Sequence, residues 1–115
     1  MRENAIATKT FDFACRIVDS YKFLKKKENV MSKQLYRSGT AIGALVKEGE
    51  FAQSKADFIN KMSIALKEAN ESKYWIELLH HGRYIDDRTF ESIYNDVCEI
   101  TALLSSIVKS SKENK

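Results

Sequence analysis

Apolar side chains recur along this chain at spacings of three and four residues, which is typical of amphipathic α-helices. The first such stripe runs through Phe13, Ile17, Tyr21 and Leu24, and three more follow it. The junctions between stripes are short and polar, and the chain has no proline and only four glycines. The pattern therefore predicts an all-α fold. Its four helices are expected at about residues 8–27, 31–49, 54–80 and 86–110.

Helix ends have their own residue chemistry, and three of the predicted starts show it. The residues expected to cap them are Thr8 or Thr10, Ser54 with Asp57, and Asp86. Gly82 is expected to supply the left-handed residue that ends the third helix. Because the connections are short, neighbouring helices should be antiparallel. The chain is thus predicted to be an antiparallel up-down-up-down four-helix bundle, with residues 1–115 forming one domain.

Composition agrees with one globular domain. The chain has 115 residues, of which 43% are hydrophobic and 30% charged, so one core is enough and disorder is not indicated. No apolar run approaches the ~20 residues that cross a bilayer, and the N-terminal residues do not resemble an export signal. We therefore expect no membrane association and a cytoplasmic location. Cys15 and Cys98 fall within apolar-periodic segments and are expected to be reduced core residues.

The positive charge lies in the first half of the chain. Residues 1–61 contain twelve Lys or Arg against seven Asp or Glu, whereas residues 62–115 contain seven against nine. An up-down-up-down topology brings the first and third connections to the same end, so the lysine triplet should lie near His80, His81 and Arg83. Candidate phosphate contacts are Lys25, Lys26, Lys27, Lys33 and Arg37. The alternative is that the lysines are merely solvated and favoured by the helix dipole.

The second helix has an unusually small middle, which contains Gly39 and Gly43. The spacing does not match a phosphate-binding loop, because no lysine follows the second glycine directly. Two glycines within a helix are each unfavourable by up to ~1 kcal/mol relative to alanine, a cost that close approach of another backbone can offset. We therefore interpret Gly39 and Gly43 as helix-packing positions.

No motif for catalysis is evident. Glu77 and His80 have the Glu-x-x-His spacing that helical di-iron proteins use twice, but the only other histidine is the adjacent His81. No second pair is available, so a metal site is rejected. Motifs for nucleophilic or zinc-dependent hydrolysis are also missing. The sequence predicts a protein that is not an enzyme and that needs no cofactor.

Several amphipathic aromatic residues are candidates for an interface. Tyr74 and Trp75 are adjacent on the third helix, about 100° apart around its axis, so one should face the core and the other a boundary or partner. Tyr36 is a further candidate interface residue, because tyrosine is enriched where proteins associate. These residues leave open an alternative function, a protein–protein interaction module with no nucleic-acid role.

Several segments together resemble the 23S ribosomal RNA intervening-sequence protein family. The resemblance rests on residues 32–44, 53–59 and 65–69, with support from residues 11–14 and 74–79. It implies a four-helix bundle that assembles as a homopentamer. The family is also similar to the accessory proteins of diversity-generating retroelements, which form basic pentameric barrels that engage a reverse transcriptase and nucleic acid.

The residues and the resemblance together predict a homo-oligomeric protein that binds RNA or DNA or acts as a scaffold. Arg37 matches a polar position of the family pattern, but the match gives it no catalytic role. Three roles therefore remain open for Arg37, namely a phosphate contact, a structural ion pair and an intersubunit contact.

Overall fold

The computed structural model describes residues 2–114, and within this range the chain forms four helices and no strand. The helices are α1 (Arg2–Lys27), α2 (Val30–Glu50), α3 (Lys55–His81) and α4 (Asp87–Glu113). Each helix packs against its neighbours in sequence, and α1 also packs against α4, which closes the bundle. The molecule measures 47 × 21 × 19 Å. No helix in the described range is both long and apolar enough to cross a membrane.

The pairing of α1 with α4 shows the direction of the helices. Lys9 Nζ lies 3.4 Å from Glu99 Oε1, and Arg16 Nη1 lies 2.5 Å from Asp96 Oδ2. The later residue of α1 thus pairs with the earlier residue of α4, so these two helices are antiparallel. The other neighbours are joined by turns of only a few residues and are antiparallel for that reason. The predicted antiparallel four-helix bundle is confirmed.

The core is one continuous apolar seam along the bundle axis. Each helix contributes residues at the helical spacing, and the burial of each large side chain contributes roughly 1.5–3 kcal/mol. The buried hydrophobic residues are Ile6, Phe13, Ile17, Leu24, Leu35, Ile42, Val46, Met62, Ala65, Ala69, Ile76, Leu79, Ile93, Val97, Ile100, Leu104 and Ile107.

The start of α1 was predicted too late. Ile6 is buried in the core, which extends the apolar stripe and the helix beyond the expected start. Thr10 is buried as well, and its hydroxyl donates to the carbonyl of Ile6 at 2.8 Å inside the helix, so Thr10 is not a cap. The expectation for Cys15 was also wrong. Cys15 is exposed. It lies two positions from both Phe13 and Ile17, which are buried, and residues two apart on a helix face nearly opposite directions.

The end of α3 follows a different geometry from the one predicted. Gly82 keeps helical backbone angles (φ −76°), and the left-handed residue is Arg83 (φ 67°). The amide of Arg83 donates to His80 O and that of Tyr84 donates to Leu79 O, both at 3.0 Å, which forms a Schellman motif one residue later than expected. Gly82 lies close to the Tyr84 ring, and a Cβ at position 82 would lie 2.9 Å from Tyr84 Cε2, so the ring would have to shift.

The caps of α3 and α4 form as predicted. Ser54 Oγ accepts from the amide of Asp57 at 3.0 Å, and Asp86 Oδ1 accepts from the amide of Thr89 at 2.8 Å. The carboxylate of Asp57 accepts from the amide of Gln53 rather than from that of Ser54. Both helices therefore begin where their side chains satisfy the first free amides.

Helix α2 approaches both of its neighbours closely through small residues. A Cβ on Gly39 would lie 2.9 Å from Ile17 Cγ1, and one on Gly43 would lie 3.2 Å from the Thr10 carbonyl oxygen. On the side of α2 that faces α3, the buried hydroxyls of Ser38 and Ser72 are hydrogen-bonded at 2.9 Å. Side chains of ordinary size at these positions would force the helices apart.

We predict that Gly39→Leu destabilises the bundle by about 1–3 kcal/mol, because overpacking against Ile17 exceeds the gain in helix propensity. The control is Glu48→Leu, which places the same side chain at an exposed position of α2 and should stay within about 0.5 kcal/mol of the parent protein. Urea denaturation followed by circular dichroism measures both changes. Equal stability of the two variants would contradict the close approach.

Candidate nucleic-acid interface

The turn between α1 and α2 has a dense positive charge. Lys25, Lys26 and Lys27 form the last turn of α1, Lys33 lies near the start of α2, and all four side chains are exposed. Residues 22–37 contain six Lys or Arg and a single acidic residue. This end of the bundle can therefore attract an anionic polymer. The segment 22–37 is called the basic tip below.

Glu28, the acidic residue of the basic tip, is engaged by the backbone. Its carboxylate accepts hydrogen bonds from the amides of Val30, Met31 and Ser32 at 2.9–3.0 Å, whereas Asn29 makes no capping bond. Burial raises the pKa of Glu28, but these hydrogen bonds outweigh it and the pKa is lowered. The sequence did not indicate this role, because Ser, Thr, Asp and Asn are the usual residues that cap a helix start.

Arg37 is paired with acidic residues of α3. Its guanidinium donates to Glu68 Oε1 at 3.2 Å and to the carboxylate of Glu71, which also accepts from Trp75 Nε1 at 3.0 Å. The hydrogen bond to Glu71 raises the pKa of Arg37, and the hydrogen bond from Trp75 is the main cause that lowers the pKa of Glu71. The geometry matches the ion-pair alternative for Arg37. A phosphate contact by Arg37 stays a prediction.

The three aromatic candidates differ in their exposure. Tyr74 is 55% exposed, whereas Trp75 is half-buried against the core, as the angle between them suggested. Tyr36 is 38% exposed and stacks on Tyr21 with ring centroids 4.5 Å apart. Of the three, Tyr74 offers the largest free surface to a partner.

The turn between α3 and α4 lies at the same end as the basic tip, and Lys27 and Arg83 line one cleft there. His80 Nε2 lies 2.7 Å from Asp87 Oδ1, and the His80 ring stacks on Phe90 at 4.0 Å. These contacts fasten the end of α3 to the start of α4. The cationic side chains of two connections therefore converge on one surface.

Metal-ligand geometry is not found where the Glu-x-x-His spacing occurs. Glu77 accepts a hydrogen bond of 2.6 Å from the Tyr94 hydroxyl, which raises the pKa of Tyr94 to about 12. Its sequence partner His80 is engaged with Asp87. In the part of the chain that the structure describes, no group of three or more His, Cys, Asp or Glu is placed to hold a metal ion.

A second surface feature is an apolar groove between α1 and α2, which begins at Thr40, next to the end of the basic tip. It has a volume of about 430 Å³, and Phe11, 66% exposed, lies along it. Small side chains form its floor, namely Ala7, Ala14, Gly43 and Ala44. We call it the α1–α2 groove. Its floor lets another helix approach closely.

The geometry defines a four-helix bundle whose chemically distinctive side chains lie on its surface. A family model described as 23S rRNA-intervening sequence protein matches residues 2–106, and the chain belongs to this family. The chain is also similar to a protein with unknown function from the S23 ribosomal protein family of Bacteroides thetaiotaomicron VPI-5482, solved by crystallography. The two are 58% identical over 95% of this chain and 99% of that one, with a TM-score of 0.92. No curated protein matches the chain.

We predict that Glu28→Ala lowers the free energy of unfolding by about 1 kcal/mol at pH 7, because three amides lose their acceptor. The folded pKa of Glu28 is below the unfolded value of 4.5, so its contribution is complete above that value and is lost as the pH falls through the folded pKa. Urea denaturation of both proteins at pH 7 and in acid measures the difference.

The control for this prediction is Glu91→Ala, which removes an exposed carboxylate of α4. It should change stability by less than Glu28→Ala does at pH 7. A Glu28→Ala protein as stable as its parent at neutral pH would show that the carboxylate does not hold the turn.

Proposed function

We propose that the chain is a non-enzymatic, homo-oligomeric cytoplasmic protein that binds nucleic-acid phosphates through its basic tip. The observation that carries the proposal is the exposure of Lys25, Lys26, Lys27 and Lys33 on one turn, next to a carboxylate already occupied by backbone amides. Because Glu28 is occupied in this way, it offsets the lysine charge without binding the ammonium groups. The lysines are therefore available to phosphates.

Arg37 differs from the four lysines because it is already paired with acidic side chains. Arg37 is offset by two glutamates, so we assign the phosphate contacts to the four lysines and give Arg37 the task of fastening α2 to α3. Lysine contacts to phosphates carry no sequence information, which predicts binding that depends on salt and little on base sequence.

The α1–α2 groove supports assembly of several copies. An exposed phenylalanine beside a floor of small residues is suited to close packing of a second helical surface. The resemblance to the intervening-sequence proteins implies a ring of five. Such a ring would repeat the basic tip five times, and the effective affinity for a long polyanion would rise with each tip that engages. The similarity to the accessory proteins of diversity-generating retroelements, which form basic pentameric barrels, likewise remains a prediction.

A protein partner is the second candidate function, and the exposed ring of Tyr74 favours it. Tyr74 lies on α3, away from the α1–α2 groove, and is 55% exposed. Its ring and hydroxyl suit a protein contact with one apolar and one polar part. Association of the protein with a partner that survives nuclease treatment and is lost in Tyr74→Ala would support this function.

We predict that reversal of the lysine triplet (Lys25→Glu, Lys26→Glu and Lys27→Glu) weakens binding more than tenfold for duplex DNA of any sequence. The slope of log affinity against log salt should become shallower by roughly 2–3, because each lost phosphate contact removes about 0.9 from it. Fluorescence anisotropy of nuclease-treated protein at several salt concentrations measures both effects.

The matched control reverses three exposed lysines elsewhere, Lys55→Glu, Lys67→Glu and Lys109→Glu, and so changes the net charge by the same amount. It should retain most of the affinity. Equal losses in the two triple variants would mean that net charge, and not the basic tip, controls binding.

For assembly, we predict that Phe11→Glu shifts the protein to smaller species, because a buried carboxylate at an apolar contact is strongly unfavourable. Sedimentation velocity measures the change. Phe51→Glu is the control, since Phe51 is 75% exposed and lies at the α2–α3 turn. A monomeric parent protein would refute the assembly. An intact oligomer in Phe11→Glu would show that the subunits associate through a surface other than the α1–α2 groove.

A further inference from the structure

The cleft at the basic end combines two aromatic rings, Phe23 and Tyr84, with two cations and two carboxylates. It lies between the last turns of α1 and the α3–α4 turn and has a volume of about 490 Å³, within the range of small-molecule sites. Phe23, Lys27, Arg83, Asp86 and Asp87 line it. We call it the end cleft. It joins the lysine triplet directly through Lys27.

Phe23 lies outside the core, unlike the buried Phe13 of the same helix. Its ring is 72% exposed, although Leu24 beside it is 6% exposed and fully packed. An exposed phenylalanine bordered by lysines has an open face on which a planar group can stack. A nucleic-acid base can stack on that face whatever its sequence identity, since every base has a π-face and stacking needs no base-specific hydrogen bond.

Arg83 is held in an unfavourable backbone conformation at the edge of the end cleft. It is the one non-glycine residue with positive φ in the described chain, at 67°, and a Schellman motif usually has glycine there. Non-glycine residues in this conformation are held there by the surrounding structure, and they cluster at functional sites. The arginine side chain adds a planar cation that binds phosphate oxygens in pairs.

The charges of the end cleft favour a ligand with more than one kind of group. Asp86 stays ionised, since the amide and hydroxyl of Thr89 lower its pKa, and Asp87 pairs with His80. Two carboxylates beside two cations make the cleft close to neutral, so a bare phosphate gains little there. The side chain of Asp87 is 80% exposed and can accept a further hydrogen bond, which a ribose hydroxyl can donate.

We propose that the end cleft binds one unpaired nucleotide of an RNA strand whose backbone runs over the lysine triplet. The base stacks on Phe23, a phosphate contacts Lys27 and Arg83, and the ribose 2′-hydroxyl donates to Asp87. This inference rests on the proposed function and adds to it a preference for single-stranded RNA over duplexes. A duplex keeps its bases stacked internally and cannot present one to Phe23.

The test compares Phe23→Ala, Arg83→Gly and the control Phe51→Ala, which removes an equally exposed ring at the other end of the bundle. The probes are a labelled unstructured ten-nucleotide RNA, a duplex RNA and a single-stranded DNA of the same sequence, each titrated at two salt concentrations. Phe23→Ala should weaken binding of the single-stranded RNA roughly tenfold and leave duplex binding unchanged. Phe51→Ala should match the parent protein with every probe.

Arg83→Gly separates binding from folding. Glycine relieves the positive φ, so the variant should melt at the same or a higher temperature than the parent protein. Its affinity for the single-stranded RNA should nevertheless fall, with a salt dependence shallower by about one phosphate contact. The DNA strand, which lacks the 2′-hydroxyl, should bind more weakly than the RNA strand.

The outcomes distinguish the two proposals. If Phe23→Ala binds single-stranded RNA as the parent does while the lysine-triplet variant does not, the end cleft is refuted and the basic tip stands. If the parent binds no RNA or DNA even at low salt, both proposals fail. Equal weakening by Phe23→Ala for single-stranded and duplex RNA would also overturn the nucleotide site.

Discussion

The close approach of α2 to both of its neighbours is the constraint on which the rest of the bundle depends. Gly39 and Gly43 leave room for α1, and the hydrogen-bonded pair Ser38–Ser72 draws α3 in on the other side. Because protein interiors are close-packed, these small positions determine where the larger residues of α1 and α3 can interdigitate. The same contacts hold the α1–α2 turn at the end of the bundle, where a run of lysines projects beyond the core.

The interior consists mainly of apolar side chains, so the distinctive chemistry lies at the surface. Buried side-chain polar atoms in the described residues all have hydrogen-bond partners, as the hydroxyl of Thr10 illustrates. Polar groups that are free to meet a ligand therefore lie at the ends and along the helix faces. At one end, capping removes Glu28 from competition for the lysines, and the α3–α4 turn brings Arg83 beside Lys27. The α1–α2 turn thus contains both the Glu28 cap of α2 and the lysines of the proposed binding surface.

Periodicity in the sequence was sufficient to predict the fold and the helix order, because burial of one apolar stripe per helix dominates the folding free energy. Side-chain chemistry predicted the N-caps of α3 and α4. Periodicity failed where a distant residue decides the outcome. Ile6 extends α1 since other helices bury it. At the end of α3 the glycine signal pointed to the wrong residue, since Arg83 and not Gly82 is left-handed. The basic tip and its closeness to Arg83 followed from the sequence and the helix order, but the exposed ring of Phe23 beside them did not, because no local pattern gave its exposure.

The most direct measurement is a titration of isotopically labelled protein with short single-stranded RNA, followed by NMR of the backbone amides. We expect shift changes concentrated in residues 20–37 and 82–89, with the far end of the bundle around Phe51 unaffected. Changes centred on the Phe51 end or on the α1–α2 groove, or no changes at RNA excess and low salt, would contradict the claim that the basic end binds nucleic acid.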